Sequence, residues 1–198
     1  MEELNQALFL MLNAPAHPES MLLTLAQILA DWCVWLVPLL LTLGWLRGDE
    51  QRRKLLLEAT ASGLTGLMIN QLVGLLWQHP RPFMIGLGHT FSAHAPDSSF
   101  PSDHLTLIWA VAFSMLSHPR LRAAGLFLAL LGLPVAWARI YLGVHFPLDM
   151  AGAALVALAS ARLVLHWGFY LSERLYQPML AFYRLLAAPL IRRGWIQN

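Results

Sequence analysis

Residues 138–149, Ala-Arg-Ile-Tyr-Leu-Gly-Val-His-Phe-Pro-Leu-Asp, gather an arginine, a histidine and an aspartate within an otherwise apolar chain. Pro147 suits the first turn of a helix, where its missing N–H leaves no bond unmade, so a helix is expected to begin just after His145. Asp149 then lies one turn beyond His145 on the same side, within reach of its ring. A carboxylate on one imidazole nitrogen fixes the tautomer and leaves the other nitrogen free as base or nucleophile. Arg139 offers a planar fork of donors matched to phosphate oxygens, and a helix start adds free backbone N–H groups. The set suits attack on a phosphate ester. Taken alone, the stretch also reads as a loop with two unrelated polar residues and a capping aspartate.

Two further clusters precede it. His79-Pro80-Arg81-Pro82 follows an apolar run, and Pro101-Ser102-Asp103-His104 opens another. Ser102 or Asp103 can cap the helix that begins near His104, and that turn presents N–H groups and a hydroxyl to an anion. His104 would sit beside a bound phosphate, placed to act as general acid.

The elements that must hold these clusters are membrane helices. Of the 198 residues, 58% are hydrophobic and 12% charged, about half the charged fraction of a soluble domain, and the mean hydropathy is +0.56. The expected fold is all-α, a single integral membrane helical bundle over residues 1–198, with about five transmembrane helices and interfacial helices at both ends. Residues 4–12 are too short to span and read as a helix in the interface. Residues 21–46, 55–77, 104–117, 121–138 and 148–167 are the candidate spans, the third needing a few loop residues to complete it. Residues 168–198 read as a cytoplasmic amphipathic tail rather than a sixth span, because Arg184 interrupts the best apolar run. Residues 1–15 hold two glutamates and no basic n-region, unlike a cleaved signal peptide. The single cysteine, Cys33, excludes a disulfide framework and a thiolate zinc cluster.

The thirteen Lys and Arg residues sort by side. Arg47, Arg52, Arg53 and Lys54 follow the first span, Arg120 and Arg122 the third, and five lie from Arg162 onward. The positive-inside rule makes those three regions cytoplasmic. That sorting, rather than a basic patch, accounts for the sequence pI near 9.0 and argues against nucleic acid as a partner. Arg81 and Arg139 are the exceptions, and both fall in the opposite loops with His79, His89, His94, His104 and His145. The polar chemistry is thus expected on the outer face.

On these residues the chain resembles the type 2 phosphatidic acid phosphatase superfamily, which also includes vanadium haloperoxidases. The family's motifs are Lys-(x)6-Arg-Pro, Pro-Ser-Gly-His and Ser-Arg-(x)5-His-(x)3-Asp. Arg81-Pro82 matches the end of the first. Pro101-Ser102-Asp103-His104 matches the second with Asp103 for glycine, and Arg139-(x)5-His145-(x)3-Asp149 the third with Ala138 for serine. The motif lysine falls at Gly74, so one phosphate-binding cation is absent unless His79 or a distant group substitutes. These departures resemble the short bacterial branch that hydrolyses undecaprenyl diphosphate and is linked to bacitracin resistance. The resemblance covers at least residues 55–167.

It implies that His145 is the nucleophile of a phosphohistidine, that Asp149 orients it, and that His104 protonates the leaving group and later activates water. Arg81, Ser102 and Arg139 would form the phosphate clamp, with Asp103 lending its N–H while its carboxylate faces away. It implies no metal and no cofactor. The substrate would be a polyprenyl diphosphate, cleaved at the periplasmic face of the bacterial inner membrane, with membrane lipids around it and no obligate protein partner. Phosphatidylglycerophosphate or phosphatidate hydrolysis and phosphoryl transfer to another lipid are the alternatives within the class. Outside it stands a transporter or sensor of phosphate or lipid head groups, which would want ionisable groups near mid-membrane.

Other polar residues carry less. His89 and His94 share a loop with Asp97; a metal site is conceivable there, but the spacing is loose and solvated loop histidines are the expectation. Asp31, inside the first span, either hydrogen-bonds the site or a neighbouring helix. Asn70 and Gln71 read as contacts between helices.

Overall fold

The computed structural model describes residues 2–193, the side chains of 169–173 excepted. Seven α-helices make up the described chain: α1 (Glu2–Leu12), α2 (Ser20–Gln27), α3 (Leu36–Arg47), α4 (Glu50–Leu76), α5 (Asp103–Leu116), α6 (Arg122–Tyr141) and α7 (Pro147–Arg192). Four helical stretches are long and apolar enough to cross a bilayer: Ser20–Arg47, Glu50–Leu76, Arg122–Tyr141 and Pro147–Gly168. The fold is an all-helical membrane bundle, and the chain is multi-pass.

The first span is not one regular helix. A π turn at Ile28–Trp32 and a 3-10 turn at Cys33–Trp35 separate α2 from α3. Pro38 lies in the first turn of α3; it has no N–H to return to the carbonyl four residues back, and its ring crowds that carbonyl, so the preceding turns deviate. The π turn carries Asp31.

α5 is the central helix. Its 14 residues rise only about 21 Å, short of the ~30 Å apolar thickness. It packs against α4, α6 and α7, with Leu105, Ile108, Ala110, Val111 and Ala112 wholly buried. α4 meets it through small residues. A Cβ at Gly63 would lie 2.8 Å from the Leu107 side chain, and one at Gly66 2.8 Å from that of Thr106. Close backbone approach through glycine is how helices associate where no hydrophobic effect drives them together. On α6 the buried stripe is Gly125, Leu128, Gly132, Val135 and Arg139, a helical period, while Leu126, Leu130 and Leu133 face outward to meet lipid.

α7 begins at Pro147, as its sequence predicts, but does not stop at the end of the fifth span: it runs for 46 residues. In its distal part Tyr176, Leu180 and Ala187 are buried, while Arg174 and Arg184 are exposed together with Phe182, Leu185 and Leu186. Tyr176 and Leu180 pack on Leu57, and Tyr183 meets Trp45 edge-on at 6.1 Å. Residues 194–198 of the expected tail lie outside the described residues.

α1 does more than its sequence promises. Phe9 is fully buried, edge-on to Phe146 at 5.3 Å, and Asn5 Oδ1 accepts the Leu148 N–H at 3.1 Å. Asn13 Nδ2 donates to the His89 and Tyr141 carbonyls, and its Oδ1 accepts the His89 N–H. Gly88 and Gly143 adopt φ of +69° and +79° at these contacts, with the His89 carbonyl against Gly143 where a Cβ would stand. α1 therefore pins the 86–91 loop to the α6–α7 corner.

Candidate active site

Arg81, Ser102 with His104, and Arg139 with His145 and Asp149 come from three separate stretches of the chain and meet at one end of the bundle. A cleft of about 560 Å³ opens there, lined by Arg81, His94, Asp97, His104, Arg139 and His145 among others. At the opposite end Asp49 caps α4 on the Arg52 N–H and pairs with Arg120 at 3.1 Å.

His145 is the centre. Its ring is 2% exposed in the short corner between α6 and α7. Asp149 Oδ2 lies 3.2 Å from Nδ1 and accepts the Phe146 N–H at 2.8 Å, so the helix start fixes the carboxylate and the carboxylate fixes the ring. On the other side, Arg81 Nη1 stands 3.1 Å and Arg139 Nη2 3.5 Å from Nε2. Guanidinium groups only donate, so Nε2 must hold a lone pair and Nδ1 the proton, which it donates to Asp149. Burial, together with Arg139 and Arg81, pushes the His145 pKa well below the usual imidazole range. The outcome is a neutral imidazole with its unprotonated nitrogen aimed between two cations.

Both arginines are buried, at 5% and 2% exposure. Arg81 donates through Nη1 to the Val144 carbonyl at 2.9 Å, through Nη2 to the Ser98 carbonyl at 3.2 Å and through Nε to Asp97 Oδ1 at 2.9 Å. Arg139 Nη2 donates to His94 Nε2 at 3.1 Å, and Asp31 Oδ1 lies 3.7 Å from its Nη1. Asp31 thus faces Arg139 of α6 at ion-pair distance, without a hydrogen bond. Arg139 Nε and Ser102 Oγ are buried with no protein partner. Buried polar groups normally have one; an unspent donor on Arg139 and an unpartnered hydroxyl at the start of α5 fit an anion.

The remaining expected residues are placed as follows. His104 lies in the first turn of α5 and lines the cleft with His145. Asp103 turns its carboxylate to α4, where Asn70 Nδ2 donates to it at 2.8 Å. His79 sits at the cleft wall with Nδ1 2.9 Å from Ser99 Oγ and Nε2 3.6 Å from Glu2, its ring edge-on to Phe146. Gly74, the site of the missing lysine, lies against Ser98, whose Cβ would be 3.5 Å from a glycine Cβ.

Two sequence readings need revision. His94 is not a solvated loop histidine: it is partly buried on Arg139, its ring 6.2 Å from that of His145, and burial with Arg81 and Arg139 lowers its pKa. Asp97, read only as part of a loose loop cluster, is the carboxylate on Arg81. His89, by contrast, is exposed. Asn70 does join helices, as expected, through Thr106 at 3.0 Å, but it also restrains Asp103 at the cleft wall. Asn70 and Asp97 carried no motif signal; an amide in a span near the motif end was the one hint available.

A family model described as the PAP2 superfamily matches residues 55–173. YbjG of Escherichia coli (strain K12), which carries undecaprenyl-diphosphatase as a provisional name, is 36% identical over 201 aligned residues that cover all of both chains. Undecaprenyl-diphosphatase BcrC of Bacillus subtilis (strain 168) is 36% identical over 155 residues, 78% of this chain and 79% of its own. Among solved structures, LpxE of Aquifex aeolicus superposes with a TM-score of 0.61 at 22% identity, covering 82% of this chain and 95% of its own. A transmembrane PAP2-type phosphatidylglycerolphosphate phosphatase from Bacillus subtilis gives 0.62 at 18% identity, covering 84% and 85%. Both share the fold.

Proposed function

The chain belongs to the PAP2 superfamily, and we propose that it hydrolyses undecaprenyl diphosphate to undecaprenyl phosphate at the periplasmic face of the bacterial inner membrane. The observation that carries the chemistry is the His145 ring, with Asp149 on Nδ1 and two buried guanidinium groups converging on an unprotonated Nε2. The undecaprenyl substrate is supported by the two relatives that bear that activity in their names.

In this reading the terminal phosphate lies against Arg81, Arg139, Ser102 and the first N–H groups of α5. The Nε2 lone pair attacks phosphorus in line. The bond from phosphorus to the bridging oxygen breaks, and that oxygen leaves with the prenyl monophosphate, protonated by His104. The phosphohistidine is then attacked by water; His104 takes the water's proton, the P–N bond breaks, and inorganic phosphate departs. The two arginines stabilise the charge on the equatorial oxygens throughout. His104 must carry a proton for the first step beside two cations, and the substrate's own negative charge is what favours it. The periplasmic assignment rests on the basic residues, most of which sort to the end opposite the cleft.

Phosphate release by the purified protein tests this reading, with undecaprenyl diphosphate, undecaprenyl phosphate, phosphatidylglycerophosphate and phosphatidate as substrates. The expected result is the highest kcat/KM for the diphosphate; a preference for either glycerolipid overturns the substrate assignment. A periplasm-specific reporter inserted near His89 should be active, and a cytoplasmic signal there overturns the orientation.

A further inference from the structure

Arg81 has five N–H donors. Nη1 is directed at the Val144 carbonyl and His145 Nε2, Nη2 at the Ser98 carbonyl, and Nε at Asp97. A phosphate that binds a guanidinium two-pronged takes neighbouring N–H groups along one edge. The Nη1 side of Arg81 is committed to the α6–α7 corner and the nucleophile, which leaves the edge made by Nε and Nη2. Asp97 Oδ1 takes the Nε–H of that edge, while Nη2, which has two N–H groups, gives one to the Ser98 carbonyl. The Asp97 carboxylate is 61% exposed, whereas Arg81 is 6% exposed, and both line the cleft. Three residues earlier in the same turn, His94 occupies Arg139. Asp97 is therefore a tethered anion resting on a cation of the clamp.

We propose that Asp97 is a specificity-determining residue: its carboxylate holds the Arg81 edge that a substrate phosphate needs, so a diphosphate displaces it and a monophosphate does so poorly. The inference rests on the diphosphatase reading above. A lipid diphosphate brings about one more negative charge than a monophosphate, and a second phosphate to grip the cleft while the first takes Arg81. After cleavage the lipid retains one phosphate. Asp97 returning to Arg81 then helps expel inorganic phosphate and keeps the monophosphate from re-entering for a second hydrolysis to the free alcohol.

The rival role for Asp97 is to position Arg81. The structure weighs against it, because the two carbonyls and His145 already fix both Nη atoms. The two roles also predict opposite signs. Asp97→Asn and Asp97→Ala remove the charge from an exposed loop position, and thermal melting of the purified variants checks that they fold. Inhibition by orthovanadate is measured on aryl phosphate hydrolysis; vanadate mimics the five-coordinate transition state in the same clamp. Competition predicts that vanadate and inorganic phosphate bind at least about threefold more tightly in both variants. It also predicts a lower KM for prenyl monophosphate, and a smaller ratio of kcat/KM for prenyl diphosphate over monophosphate. Inhibition constants that stay level or rise in both folded variants overturn the proposal and make Asp97 a positioning residue or a bystander. If the wild-type protein prefers a glycerolipid monophosphate, the diphosphatase reading fails and the discrimination with it. The vanadate comparison still decides separately whether Asp97 competes for Arg81.

Discussion

Arg53 and Arg139 lie towards opposite ends of the bundle and are equally buried, at 1% and 2% exposure, yet they are held in different ways. Arg53 donates through Nε to the Trp45 carbonyl at 3.0 Å and lies over the Tyr183 ring at 4.8 Å and the Trp45 ring at 5.6 Å. These contacts are a backbone carbonyl and two aromatic faces. Arg139 faces two imidazole lone pairs and a carboxylate at 3.7 Å, and its Nε has no protein partner. A buried cation costs free energy unless it is compensated. At the Arg53 end a carbonyl and aromatic faces, part of the bundle itself, contribute to that compensation, and the result is an anchor. At the site end it is left to groups that a phosphate can replace, and the result is a clamp.

The largest effect that comparison predicts falls on the group the clamp surrounds. His145→Ala should lower kcat by at least about ten-thousand-fold, as losses of a covalent nucleophile do. Rapid-quench labelling with a radioactive phosphate substrate should yield an acid-labile, base-stable adduct on the peptide containing His145. Near-normal turnover in the variant, or an adduct on His104, would show the roles to be reversed.

Asp149→Asn comes next. An asparagine can hold the ring by accepting from Nδ1, or donate to it and place the proton on Nε2, where it blocks attack. A fall in kcat of about a thousand-fold is expected, with KM little changed. The pH profile sharpens the same point. A lowered His145 pKa keeps Nε2 unprotonated to lower pH, so the acid limb of wild-type kcat/KM should lie well below the ordinary imidazole value. Arg139→Gln removes a cation that depresses that pKa, so the limb of its residual activity should move to higher pH. A limb that stays in place would detach the arginine from the histidine.

The two buried arginines can then be exchanged directly. Arg139→Ala should lower kcat/KM by about a hundred- to a thousand-fold, since a transition-state cation is lost, with a small change in Tm. Arg53→Ala should do the converse: stability falls by about 2–3 kcal/mol through the lost carbonyl bond and ring contacts, and kcat/KM of the folded fraction is retained. Loss of kcat/KM in folded Arg53→Ala would break the division between anchor and clamp.

How much of this was legible in the sequence follows from the distances involved along the chain. Arg139, His145 and Asp149 are neighbours in sequence, so helix geometry alone brings His145 and Asp149 together, and Pro147 marks the turn. The sidedness of the basic residues brings Arg81 and His104 to the same face. The partners of the clamp were not legible. Asp97 reaches Arg81 across 16 residues and His94 reaches Arg139 across 45, through a loop that has no periodicity to read. α1 reaches Leu148 across 143 residues through Asn5, and nothing local in an 11-residue amphipathic helix says what it covers. The π turn that presents Asp31 leaves only Pro38 as a trace. The unbroken continuation of α7 past the fifth span is not legible either, and Gly168, just beyond that span, does not end the helix. It lies instead against Glu58, whose side chain would be 3.0 Å from a Cβ there, and so is kept for close packing.

The smallest predicted effect compares a carboxylate–arginine pair at each end. Asp49 and Arg120 are 3.1 Å apart and both more than half exposed; Asp31 and Arg139 are 3.7 Å apart with the arginine buried. Distance alone would rank the first pair above the second. For kinetics the order should reverse. Asp49→Asn alters an exposed pair remote from the cleft, so kcat and KM should match wild type. The carboxyl there is held below its ordinary pKa chiefly by the Arg52 N–H, so any stability it contributes is present above that pKa and fades as pH falls through the lowered value. Asp31→Asn removes a negative charge facing the arginine that must receive phosphate. Arg139 keeps its contacts to His94 and His145, so its position should hold while KM falls by about twofold, the scale of an exposed charge. Raising the salt concentration should shrink that difference only in part, because the pair stands 3.7 Å apart, inside the ~10 Å screening length, with one partner buried. A rise in KM for Asp31→Asn would mean that the carboxylate positions Arg139 and belongs to the clamp's support.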